Sequence, residues 1–130
     1  MMPAYPSYRV LAGTGELEER IHRACELLSD CGVCPRHCSV DRTAGEPGYC
    51  RGGFLPRVSS AGPHFGEEPP LVGRSGSGTI FLAGCNMRCA FCQNYGISQC
   101  YHGEEITFEN MARQMLALQE MGCHNINFVS

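Results

Sequence analysis

At 130 residues the chain has the size of one ordinary domain, with room for a single modest core. Ten basic residues, all of them Arg, stand against 13 acidic ones, and the net charge of -3 gives no footprint for nucleic acid or an anionic membrane. No apolar run approaches the length that spans a bilayer, and the opening MMPAYPSYRV has neither the basic nor the apolar region of a secretion signal, so a cytoplasmic setting is expected.

In chain order, a helix is predicted over residues 16–29. Leu17, Ile21, Ala24 and Leu28 fall on one stripe there, and Glu16, Glu18 and Glu19 occupy the first turn, where the helix dipole favours negative charge. Residues 1–30 are read as a helical extension. Residues 31–77 are rich in Gly and Pro, as in TAGEPGYCRGG and GEEPPLVGRSGSG, and predict irregular loops held by something other than regular packing. The GRSGSG at 73–78 lacks the Lys-Ser/Thr ending of a phosphate loop and is read as a flexible lead into a strand.

Residues 79–84, TIFLAG, form a β-branched and apolar run that suits a buried strand. Over 107–121 a helix is predicted, with Thr107 as its cap, Phe108, Met111, Met115 and Leu118 as its apolar stripe, and Gly122 as its stop. NINFVS from residue 125 reads as a second strand. Residues 78–130 thus spell strand, cysteine loop, helix, strand, a right-handed βαβ unit with parallel strands. The cysteine loop falls at the C-terminal end of its first strand, where α/β folds place their chemistry.

Ten cysteines without a secretion signal point to metal binding or redox chemistry and not to a disulfide framework. Cys85, Cys89 and Cys92 lie within GCNMRCAFC, after the first strand. Three soft thiolates on one short loop suit iron-sulfur or zinc, and a 4Fe-4S cube held by three thiolates keeps one iron free for a small molecule. In the competing reading Cys100 or His102 supplies a fourth ligand and closes the site. The other group, Cys31, Cys34, Cys38 and Cys50, has the four thiolates of a closed centre, with Gly32, Pro35, Gly45, Pro47 and Gly48 supplying turns. Structural zinc and an auxiliary 4Fe-4S cluster suit it equally. His37 and His64 are read as surface residues, and Cys25 and Cys123 as buried thiols.

CNMRCAFC, with Phe91 just before its last cysteine, resembles the signature of the radical S-adenosylmethionine superfamily. CGVCPRHCSVDRTAGEPGYCRGG, HFGEEPPLVGRSGSGTIFLAGCNMRCAFCQNYGIS and HNINFVS together resemble its pyruvate formate-lyase activating enzyme-like branch, over residues 31–130. The resemblance implies an α/β fold, the N-terminal part of a partial (β/α)6 barrel. It also implies a 4Fe-4S cluster on Cys85, Cys89 and Cys92, S-adenosylmethionine (SAM) on the unique iron, and Phe91 near the adenine. The implied activity is reductive cleavage of SAM to a 5'-deoxyadenosyl radical that abstracts hydrogen from a substrate. The partners implied are an electron donor of flavodoxin or ferredoxin type and, as in true activating enzymes, a protein substrate. A six-unit barrel needs roughly 200 residues, so the sequence is expected to be the N-terminal part of a longer chain, inactive alone. The alternative is a non-enzymatic iron-sulfur or zinc protein for electron transfer or scaffolding.

Overall fold

The computed structural model describes residues 7–130, and residues 1–6 of the expected N-terminal extension lie outside the described residues. Helices α1 (Ser7–Thr14) and α2 (Glu16–Glu26) come first and lie against each other. They are separated by Gly15, whose φ of 80° breaks the helix as only glycine does easily. The helix expected over 16–29 ends sooner, at Glu26. Its stripe is only partly covered, with Leu17 and Leu28 half-buried and Ile21 and Ala24 exposed.

The segment after Cys31 is irregular as far as residue 56, but the expectation of loops up to residue 77 fails. Strand β1 (Arg57–His64) crosses it, and a single turn of helix, α3 (Pro69–Val72), follows. Strand β2 (Ser77–Leu82) comes next, then the one-turn α4 (Tyr95–Ser98), the two-residue β3 (Glu104–Glu105), α5 (Phe108–Glu120) and β4 (Ile126–Val129). The four strands form one mixed sheet in the order β3-β1-β2-β4. β1 runs antiparallel to both β2 and β3, whereas β2 and β4 pair in parallel with Ile80 opposite Phe128. The sheet thus contains the expected parallel βαβ unit, with α5 in the crossover.

Alternation along β2 sends Ile80 and Leu82 to the α5 side of the sheet and Ser77, Thr79 and Phe81 to the other. Ile80 is fully buried and joins Val58 and Leu118 as the core, with Leu82, Ile106, Met111, Met115, Cys123 and Ile126 packed around them. Gly78 is required here, because a Cβ at this position would meet the side chains of Leu118 and Cys123 and the Asn125 carbonyl. α5 begins as its sequence requires: the Thr107 hydroxyl accepts a hydrogen bond from the Asn110 N–H at 3.2 Å. Phe108 leaves the expected stripe and packs edge-on against Phe54, with ring centroids 5.6 Å apart. No helix among the described residues is long and apolar enough to cross a membrane.

Two substitutions test this packing. Leu118→Ala should cost about 2–5 kcal/mol of stability and Thr107→Ala about 1 kcal/mol, with Thr107→Ser retaining most of it. Urea unfolding of the chain gives each value. A Leu118→Ala loss no larger than that of Thr107→Ala would place the core elsewhere.

Candidate functional site

Strand β2 delivers the chain to the site through Ala83 and Gly84. The Ala83 N–H donates to the Arg57 carbonyl at 2.8 Å and the Gly84 N–H to the Ile97 carbonyl at 2.9 Å, which ties the start of the loop to β1 and α4. Gly84 has a φ of 91°, and a Cβ there would fall far inside contact distance of the Cys50 carbonyl oxygen. Glycine is demanded twice, by conformation and by space.

Cys85, Cys89 and Cys92 follow on one loop, and all three are partly exposed. The Cys85 sulfur accepts the Met87 N–H at 3.4 Å. That bond, with help from the Arg88 N–H and the Ser130 side chain, holds the Cys85 thiol below its ordinary pKa, because each donor favours the thiolate; partial burial opposes them. Cys92 Sγ lies 3.2 Å from the Ser98 hydroxyl, and Gln99 Nε2 donates to the Cys89 carbonyl at 2.7 Å. α4 thus braces the last two cysteines, and β4 reaches the first through Ser130. A cavity of about 380 Å³ is lined by Cys89, Phe91, Cys92, Gln93, Asn94 and Ser130, within the range of about 300–1,000 Å³ usual for small-molecule sites. Phe91 is 92% exposed on its rim, a placement with no packing rationale inside this chain.

The second group lies against the first. Arg36 Nε donates to the Asn86 carbonyl at 2.9 Å, and Arg88 donates to the Tyr49 carbonyl at 2.8 Å. Both guanidinium carbons stand 4.2 Å over the Tyr49 ring. The Tyr101 hydroxyl and the Arg51 guanidinium complete the seam through the Arg51 and Gln99 carbonyls. Within the group, Arg42 is buried at 8% exposure, with Nε donating to Cys31 Sγ at 3.0 Å and a terminal nitrogen to Cys50 Sγ at 3.4 Å. The Cys31 thiol is held below its ordinary pKa chiefly by the Val33 N–H, with Arg42 adding to the effect against burial. The Cys34 thiol is lowered by the Asn86 side chain and then by the Arg36 N–H. Asn86 belongs to the other cysteine loop, so it joins the two groups directly. Sequence reasoning missed Arg42, Asn86, Ser98, Gln99 and Ser130; no spacing rule marks them, although Asn86 lies within CNMRCAFC, and only folding brings them to the cysteines.

All ten cysteines are free thiols. Among the described residues no three His, Cys, Asp or Glu side chains are drawn together closely enough to hold a metal ion. The fit of the first loop to a metal group therefore rests on donor chemistry: three thiols, an N–H donor to the first, and a cavity beside the other two. Cys100 and His102 are exposed. Cys123 packs on the core, and Cys25 is half-buried on α2. His64 lies in β1, 3.7 Å from Glu67, and His37 is exposed with a φ of 43°.

Residues 79–130 match the sequence model of the Radical SAM superfamily. Uncharacterized protein MJ0674 of Methanocaldococcus jannaschii is 39% identical over 90 residues, covering 69% of this chain and 25% of that protein. Uncharacterized protein MJ0808 of the same organism is 33% identical over 94 residues, covering 62% of this chain and 27% of that protein. The chain thus spans about a quarter of the length of the curated relatives it matches. No solved structure matches it.

The Gly84 contact yields a prediction. Gly84→Ala should destabilise the chain by more than about 1 kcal/mol, since alanine is strained at this φ and clashes besides. Gly53→Ala, with open space around its Cβ, should stay within about 0.5 kcal/mol. Thermal unfolding of the two variants side by side decides the matter.

Proposed function

We propose that this chain carries the cluster-binding part of a radical SAM enzyme. The carrying observation is the position of Cys85, Cys89 and Cys92 directly after β2 of a parallel βαβ unit, beside the end of β4 and a cavity of about 380 Å³. The match of residues 79–130 to the Radical SAM superfamily supports it. A 4Fe-4S cluster on these thiolates would leave one iron for SAM, whose one-electron reductive cleavage at the sulfonium gives methionine and a 5'-deoxyadenosyl radical.

The chain's own residues have separate tasks in this reading. Cys85, Cys89 and Cys92 would hold three of the cluster's irons. The Met87 N–H orients the Cys85 sulfur and, with the Ser130 side chain, favours its thiolate, while Ser98 and Gln99 fix the loop around Cys92 and Cys89. The exposed Phe91 ring offers an apolar face to the adenine at the cavity rim. The remaining proposals concern the larger protein: a partial (β/α)6 barrel continuing from the parallel β2–β4 pair, a flavodoxin- or ferredoxin-type electron donor, and hydrogen abstraction of the glycyl-radical-activase kind from a protein substrate.

Anaerobic reconstitution with iron and sulfide tests the site. The reduced chain should give an electron paramagnetic resonance signal that changes when SAM is added, because SAM would bind the iron that protein does not. Cys89→Ala should abolish that change and Cys100→Ala should leave it intact. Equal loss from both would mean a closed four-ligand site, and the radical reading would fail.

A further inference from the structure

Apart from the cysteine loop, one cluster of side chains is built more tightly than the packing around it requires. Between residues 31 and 53 only Cys31, Arg42 and Gly48 are buried, while Val33 is 61% exposed and Tyr49 39% exposed. This stretch has no apolar core, yet its backbone is ordered by turns: Cys31 N–H to the Val40 carbonyl, Ser39 N–H to the Cys31 carbonyl, and Arg51 N–H to the Gly48 carbonyl. Segments of this kind are normally stapled by a disulfide or a metal.

The sulfurs carry the second clue. Cys38 accepts the Tyr49 N–H at 3.3 Å and Cys50 the Gly52 N–H at 3.4 Å, while the main-chain N–H groups of Val33 and Arg36 face Cys31 and Cys34 and lower their thiol pKa. In three of them the donor lies two residues after the cysteine. Cys85 shows the same turn with Met87. Such turns fix the direction of each sulfur, as the ligands of a metal group are fixed.

The third clue is Arg42. Its guanidinium donates to Cys31 and Cys50 and also to the Gly52 carbonyl. Gly48 and Gly52 are bare where any Cβ would strike it. A buried cation gathered with thiols needs anionic partners, and a tetrathiolate centre carries net negative charge.

The four thiols are not drawn together closely enough for a metal ion as they stand; we propose that Cys31, Cys34, Cys38 and Cys50 close around a bound group, zinc or iron-sulfur, as a tetrathiolate centre with Arg42 as its charge partner. The centre fastens the loop-rich segment against the Cys85 loop along the contact between the Cys50 carbonyl and Gly84. It uses none of the three cysteines assigned to the radical site and so does not rest on that assignment.

The test uses the chain with Cys85, Cys89 and Cys92 all changed to Ala, purified anaerobically and assayed for zinc, iron and sulfide. About one zinc, or about four irons with matching sulfide, should remain per chain, and Cys31→Ala or Cys50→Ala in that background should remove it. The two metals identify which tetrathiolate centre is present. Finding neither in the soluble triple variant overturns the proposal. If that variant does not fold, the unchanged metal-loaded chain is alkylated and mapped by mass spectrometry. Cys31, Cys34, Cys38 and Cys50 should be protected together and released together by a chelator, whereas free alkylation of all four with metal present overturns the proposal.

Discussion

The two cysteine-bearing segments meet at one place where no side chain fits. Gly84 turns with positive φ directly before Cys85, and the carbonyl of Cys50 occupies the space a Cβ would take. This close approach brings Asn86 to Cys34 and Tyr49 to Arg88, and aligns the Arg51–Tyr101 seam. A bulkier residue would separate the backbones, and the polar contacts around them are too short to stretch across the gap. The sheet contributes by fixing Ala83 to Arg57, so the position of the loop relative to β1 is set before the loop begins.

Around that contact, arginine replaces an apolar core. Arg36, Arg42, Arg51, Arg57 and Arg88 each donate to a main-chain carbonyl: those of Asn86, Gly52, Gln99, Gly103 and Tyr49. Lysine could supply a donor to each carbonyl. It could not sandwich the Tyr49 ring with a planar face, nor reach two sulfurs and a carbonyl from one rigid fork as Arg42 does. These bonds are directional and largely solvent-accessible, so they locate the segment more than they stabilise it.

Local signals made part of this architecture readable from sequence. α5 carried its own cap in Thr107 and stop in Gly122, and β2 and β4 were apolar runs beside turn residues. The crossover between them came from length and handedness rules, and the loop cysteines were visible by spacing. β1 was not readable, because RVSSAGPH contains Gly, Pro and a polar pair and lacks the pattern of a strand. It is a strand because β2 offers a ladder to one side of it from Val58 to His64, interrupted only by a shift of register between Val58 and Ser60. Pro63 is tolerated because β3 pairs only with Arg57 and Val58, which leaves the far edge of β1 free at the proline. Phe108 departed from its stripe for a similar reason, since the position of Phe54 is fixed by tertiary structure alone. Arg42 was equally hidden, as no spacing rule marks an arginine that folds back onto two cysteines.

The two faces of the sheet are held in different ways. Opposite α5, Ser77 donates to Asn125 Oδ1 at 2.5 Å and accepts from Asn127 Nδ2 at 2.5 Å, and Thr79 donates to the Ser77 carbonyl at 3.3 Å. Ser77 and Thr79 are buried, and their polar groups find partners in one another and in the neighbouring strand. Beyond them lies a cavity of about 430 Å³ that reaches from His64 and Glu67 past Thr79 and Phe81 to Gln93 and Asn94. The last two residues also line the cavity beside Cys89 and Cys92. The two cavities therefore share a wall, Gln93 and Asn94, on the face of the sheet opposite the Ile80–Leu118 packing.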